Sequence, residues 1–234
     1  MNNLTLNYSK IVKILFWVIV LVVSLHIILQ VAAYILKTDN RVFNDLINRF
    51  GLDEELSFPT WVNSMLAFIV AGLAWLVGKH QTIRVKQHAW YLIAWGGLLV
   101  SIDEVAALHE LVLQGLHILA NFGEGSQSLI ANAWMLVLPI VLIVLVIVSK
   151  ILYKGLPKST FKNMLFGVGI YILGAVVVEY LSIPFDKSLL VYNIGMVVIE
   201  ETLEMMGVLL IIKSILIHIQ FLEPTLNKKL KTLF

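Results

Sequence analysis

Long apolar stretches dominate this sequence and restrict it to an all-α bundle of membrane-spanning helices. Hydrophobic residues make up 59% of the chain, charged residues only 14%, and the mean hydropathy is +0.91. Soluble proteins contain about 25% charged residues. Six stretches offer roughly the 20 residues that a helix needs to cross a bilayer. We therefore predict one integral-membrane domain over residues 1–234, with six transmembrane helices at 13–36, 61–77, 90–119, 131–151, 163–183 and 189–219.

Basic residues alternate between the loops and orient the bundle. Thirteen of the 17 lysines and arginines lie in or beside one set of alternate loops, and four lie in the other set. The positive-inside rule then predicts that both termini are cytoplasmic. Between spans one and two, Val42, Phe43, Leu46 and Ile47 recur at helical spacing before Gly51. This pattern predicts a short amphipathic helix on the outer surface.

Acidic residues inside the predicted spans are the feature that most strongly indicates function. Seven of the fifteen acids lie there: Asp103, Glu104, Glu110, Glu179, Glu200, Glu201 and Glu204. A carboxylate at bilayer depth costs several kcal/mol, so each one requires a proton, a cation or a water-filled cavity. No arginine lies in these three spans, and Lys213 lies near the end of one of them. The bundle is therefore expected to bind cations.

The predicted orientation brings these acids to a common depth. Glu110 lies about 10 Å further outward than Asp103 at 1.5 Å per residue, and Glu179 lies one turn before the outer end of span five. All seven acids then lie between the midplane and the outer surface, and the site is expected to open outward. Asp103 and Glu110 are seven residues apart and are expected to share one helix face, which His117 continues. We expect spans three, five and six to be neighbours, with Gly167, Gly169 and Gly174 in span five and Gly195 and Gly207 in span six allowing close approach.

A metal site built from these residues would need oxygen and imidazole ligands, because the chain has no cysteine. The candidate ligands are Glu104, His109, Glu110, Glu179, Glu200, Glu201 and Glu204. Asp103 and His26 are candidates for orienting those ligands by hydrogen bonding. The number of acids is compatible with a dinuclear iron, manganese or zinc centre. The sequence contains Glu-x-x-Glu, from Glu201 to Glu204, but no Glu-x-x-His, and it assigns no catalytic residue.

Three classes of function fit this pattern. The first is a metal-dependent membrane enzyme that acts on a lipid or lipid-linked substrate from the outer leaflet. The second is a proton- or cation-coupled transporter or channel that uses the acids as a relay. The third is a non-catalytic membrane subunit whose polar bundle binds a partner helix. The net charge of +2 gives no indication of nucleic-acid binding, and membrane lipids are the expected surroundings. Whether the chain is an enzyme, its substrate and its oligomeric state stay open.

Several short segments carry a resemblance to a known group of proteins. They are Leu52-Asp53-Glu54-Glu55 with Pro59-Thr60-Trp61, Ser101-Ile102-Asp103-Glu104 with His109-Glu110, and the segment 200–207 that begins Glu200-Glu201-Thr202. From the second span onward, the chain resembles an uncharacterised family of bacterial multi-pass membrane proteins. The resemblance implies a location in the bacterial inner membrane and implies no mechanism.

Overall fold

Helices form all the regular secondary structure in the described part of the chain. The computed structural model describes the backbone of residues 7–37, 40–119, 126–182, 184–186 and 189–231, without the side chains of 109–110, 113–114, 117, 119, 126–138 and 222–231. The α-helices are α1 Tyr8–Leu36, α2 Arg41–Arg49, α3 Phe58–Lys79, α4 Arg84–Ala106, α5 Leu108–Leu119, α6 Ser126–Gly155, α7 Lys158–Ile172, α8 Glu179–Ser182 and α9 Val198–Lys231. Two π-helical segments, Leu173–Val178 and Tyr192–Val197, precede α8 and α9.

Five helical stretches among the described residues are long and apolar enough to cross a membrane. They are Tyr8–Leu36, Phe58–Lys79, Arg84–Ala106, Lys158–Ser182 and Tyr192–Phe221. The chain is thus a multi-pass, all-α membrane protein. The predicted span at 131–151 lies within α6, where part of it falls outside the described side chains. A total of six spans and the cytoplasmic placement of the termini stay predictions, and residues 1–6 and 232–234 lie outside the described part.

The third predicted span is not one continuous helix. Ala107 has φ 45° and ψ 42°, and its N–H bonds to the carbonyl of Asp103, which ends α4 and separates it from α5. A left-handed residue at this position closes a helix and changes the direction of the chain. The predicted single face with Asp103, Glu110 and His117 is therefore wrong, because the helical phase is lost at Ala107. The side chains of Glu110 and His117 themselves lie outside the described part.

Helix α9 is the central element of the bundle. It packs against α1, α3, α7 and both π-helical segments, and Met205, Ile212 and Ile215 on it are fully buried. The predicted proximity of spans five and six is confirmed by the packing of α7 on α9. The predicted direct packing of span three on spans five and six is wrong, because the main contacts of α4 are with α3 and α6, and α3 links α4 to α9. Span two is therefore part of the architecture around the acids, which the sequence pattern did not indicate.

Glycines set the closest approach between α7 and α9. A Cβ atom at Gly207 would lie 2.6 Å from the backbone nitrogen of Tyr171, and one at Gly167 would lie 3.0 Å from the carbonyl oxygen of Gly207. Both positions therefore exclude a side chain, as expected from the sequence. The prediction of close approach is wrong at Gly169 and Gly195, because a Cβ atom at either position would meet nothing within 4 Å.

The amphipathic helix predicted between spans one and two is α2. The Asn40 side chain accepts hydrogen bonds from the backbone N–H groups of Val42 and Phe43, which caps the start of this helix. The helix ends at Arg49, before Gly51. The chain then turns inward and places Leu52, which is only 2% exposed, in the core.

Candidate functional site

Glu204 on α9 lies at the centre of a cluster of carboxyl groups. Its side chain is only 9% exposed. It lies within range of electrostatic interaction with Glu104 on α4, Glu179 on α8 and Glu200 on α9. Acids from three helices thus converge around one buried carboxyl, as the shared depth of these residues in the sequence predicts.

The neighbouring Glu201 extends the cluster toward the loop after α2. It interacts electrostatically with Glu204, Glu104 and Glu200, and also with Asp53 in that loop. The hydroxyl of Tyr171 on α7 lies within range of Glu204, Glu104, Glu201 and Asp103. We call Asp103, Glu104, Glu179, Glu200, Glu201 and Glu204 the acidic cluster.

Asn63 on α3 is the most unusual polar residue at the cluster. Its side chain is only 2% exposed and its amide lies against the Glu204 carboxyl. Neither Nδ2 nor Oδ1, however, meets the geometry of a hydrogen bond to any described atom. A buried polar group without a partner costs about 1–3 kcal/mol. The amide is therefore free to bind a further group beside Glu204, as donor or as acceptor.

Both π-helical segments come immediately before acids of the cluster. Leu173–Val178 leads into Glu179, and Tyr192–Val197 ends three residues before Glu200. The first segment packs tightly on α9, since a Cβ atom at Gly174 would lie 2.7 Å from the Glu200 carbonyl oxygen and 3.0 Å from Glu204 Cγ. Single π turns within α-helices occur frequently at functional sites.

His26 on α1 joins three parts of the backbone near the cluster. Its side chain is only 2% exposed. Nδ1 accepts a hydrogen bond from the Leu52 N–H at 3.1 Å, and Nε2 lies 3.3 Å from the carbonyl oxygen of Asn193 in the second π-helical segment. Since Nδ1 must accept and Nε2 must donate, the arrangement requires a neutral ring with its proton on Nε2. His26 thus fixes the loop after α2 and the entry to α9.

The described side chains do not form a complete set of metal ligands. No group of three His, Asp or Glu side chains among them is arranged to hold a metal ion. The side chains of the candidates His109 and Glu110 lie outside the described part, although the backbone of α5 that carries them is described. The oxygen chemistry of the cluster suits a hard cation, but its positions do not define a ligand geometry.

Three residues near the acids were not identified as site residues from the sequence. Asn63 could have been found as a lone amide in an apolar span, and Asp53 as an acid in the Leu52–Glu55 segment, which follows the predicted amphipathic helix on the outer surface. Tyr171 gives no sequence signal, because a tyrosine near the middle of a span resembles a packing residue.

Comparison with known proteins gives one match. A family model described as a domain of unknown function, DUF8692, matches residues 13–219. No curated protein and no solved structure matches the chain significantly. The matched region contains every candidate residue of the acidic cluster.

Proposed function

The chain belongs to the DUF8692 family, and we propose that it is a membrane protein whose function depends on a cation bound at the acidic cluster. The observation that carries the proposal is the buried Asn63 amide, which lacks a hydrogen-bond partner and lies beside the buried carboxyl of Glu204. A bound cation would be shared by the amide oxygen and the carboxylates around it.

Electrostatics supports a cation at this position. The carboxyls that interact with Glu204 lie in a medium of low dielectric constant, where like charges repel strongly. The Asn63 amide lies within hydrogen-bonding range of the Glu204 carboxyl without an aligned bond, so its oxygen could turn toward a cation held by the carboxylates.

The more specific form of the proposal is a metal-dependent enzyme that acts on a lipid or lipid-linked substrate. Carboxylate and amide oxygens favour manganese or another hard divalent ion over zinc. When bound, such an ion would supply Lewis acidity or an activated water. Glu204 and the Asn63 amide oxygen would supply ligands from the described part, and the candidates His109 and Glu110, whose side chains lie outside it, would complete the set. Because the described ligand set is incomplete, we derive no reaction step.

Proton- or cation-coupled transport is the second candidate. It is favoured by the absence, among the described side chains, of three acids or histidines in ligand positions. It is also favoured by the Tyr171 hydroxyl, which lies near acids from both α4 and α9. Together these groups would form a row of exchangeable protons at bilayer depth, as proton relays do.

The test combines metal analysis with two substitutions in the cluster. Purified protein is exposed in turn to manganese, iron and zinc, and metal content and thermal stability are measured before and after chelation. We expect bound metal to stabilise the wild type, and both Glu204→Gln and Asn63→Leu to lose the metal and the stabilisation. Glu55→Gln is the matched control, since Glu55 is an exposed acid in the loop before α3.

The outcomes separate the two candidates. A wild type that stays metal-free with unchanged stability refutes the metal-dependent form. Proton or cation flux into liposomes that depends on Glu204 would then establish transport. If Asn63→Leu is more stable than the wild type and neither metal nor flux depends on Glu204, the acids are packing groups and the whole proposal fails.

A further inference from the structure

A groove on the membrane-facing side of α6 lies at the end of the bundle away from the acidic cluster. Its volume is about 470 Å³, and it lies between the second half of α6 and Phe161 on α7. Its wall is apolar over Leu142, Leu145 and Val146. Its mouth carries Lys150 and Lys154. The groove therefore combines an open apolar surface with two positive charges at one end.

We propose that this groove binds one anionic phospholipid, with an acyl chain along the apolar wall and the phosphate between Lys150 and Lys154. The proposal is independent of the cation at the acidic cluster. From Leu142 to Lys154 the groove runs about 18 Å along α6 at 1.5 Å per residue. This length matches about half of the roughly 30 Å hydrocarbon thickness, so it fits a lipid from a single leaflet.

The charge around the groove is complementary to an anion. Lys150, Lys154, Lys158 and Lys162 lie within thirteen consecutive residues, and no Asp or Glu occurs between Glu124 and Glu179. Lys150 and Lys154 are four residues apart on one helix, so they lie on the same face and repel each other unless an anion lies between them.

Packing identifies this end of the bundle as the lysine-rich one. Gly155, one residue after Lys154, lies directly against Ala89 and Val85 near the start of α4. That helix begins at Arg84 and carries Lys86 in its first turn. Basic residues from two helices thus lie at this end of the bundle, as expected for a surface facing anionic headgroups.

The apolar wall of the groove is open, since Leu142 and Val146 are exposed, and one acyl chain can lie along it. Tyr153 and Phe161 pack edge to face with centroids 5.5 Å apart and close one side of the groove. An aromatic ring at this level is typical of the boundary between headgroups and hydrocarbon.

The test measures lipid binding to the full chain by native mass spectrometry. The probes are phosphatidylglycerol and phosphatidylcholine with identical acyl chains, and glycerol phosphate as a headgroup without a chain. We expect the wild type to retain one phosphatidylglycerol in preference to phosphatidylcholine. Because each lysine near an anionic surface contributes about fivefold to affinity, K150Q/K154Q should bind it about 25-fold more weakly.

Two further variants make the result specific to the groove. K10Q/K13Q removes two exposed lysines from the start of α1 and should bind phosphatidylglycerol like the wild type. Val146→Trp fills the apolar wall and should weaken binding while leaving both lysines in place. Equal binding of the two lipids, equal losses in both lysine pairs, unchanged binding to Val146→Trp, or displacement of the lipid by glycerol phosphate at matched concentration would each overturn the proposal.

Discussion

Gly174 is the position at which a single methyl group should disturb the acidic cluster most directly. In Gly174→Ala the new Cβ would lie 2.7 Å from the Glu200 carbonyl oxygen, 3.0 Å from Glu204 Cγ and 3.1 Å from Leu203 Cβ. The carbonyl cannot rotate away, so the first π-helical segment and α9 must separate. Overpacking of this kind costs about 1–3 kcal/mol, and the higher helix propensity of alanine returns about 1 kcal/mol. We expect a net loss of about 1 kcal/mol.

Gly169→Ala is the matched control, because its Cβ would meet nothing within 4 Å. It gains the same propensity without the clash, so we expect it to be up to about 1 kcal/mol more stable than the wild type. The assay is unfolding in mixed micelles at increasing fractions of a denaturing detergent, followed by circular dichroism. If the two variants unfold at the same detergent fraction, the close approach of Gly174 to Glu200 and Glu204 is refuted.

Three further substitutions test individual contacts by the same unfolding assay. Ala107→Gly relieves a left-handed alanine and should stabilise the protein by about 0.5–1 kcal/mol, and destabilisation would argue for a continuous helix there. His26→Phe leaves the buried Leu52 N–H without its acceptor and should cost about 2 kcal/mol, whereas a neutral result would contradict the hydrogen bond from Leu52 to His26. Ser64→Ala removes bonds of 2.8 and 3.0 Å to the carbonyl and hydroxyl of Ser101 and should cost about 1 kcal/mol, and no loss would show that this pair does not stabilise α3 on α4.

The sequence predicts those parts of the fold that depend on the length and composition of a segment. Apolar stretches of about 20 residues are a strong signal, since a bilayer sets the length of its helices. Shared depth and the cost of burying each acid separately predict that Glu110, Glu179, Glu200 and Glu204 converge. Glu179 and Glu200 do lie within range of Glu204, and the side chain of Glu110 lies outside the described part. Both inferences rest on the length of a segment and the depth of its residues, so a local break or a wider turn in a helix does not change them.

The local irregularities themselves could not be predicted. Ala107 ends α4 without the glycine or proline that normally signals a helix end. The chain is apolar on both sides of this break, so 90–119 looks like one span. Asn63 was missed for a related reason. A pattern that counts charges ignores a neutral amide, although an amide buried without a partner is as informative as an acid.

The first π-helical segment explains how Glu179 reaches the cluster. Gly174 faces α9, and on an ideal α-helix a residue five positions later would point about 140° away from that direction. The Glu179 N–H instead bonds to the Gly174 carbonyl five residues earlier, which widens the turn by about one residue. The wider turn brings Glu179 back toward the face that meets α9, where it interacts with Glu204. Placement of this acid therefore depends on an irregular backbone hydrogen bond, and a periodicity based on 3.6 residues per turn assigns it to the wrong face.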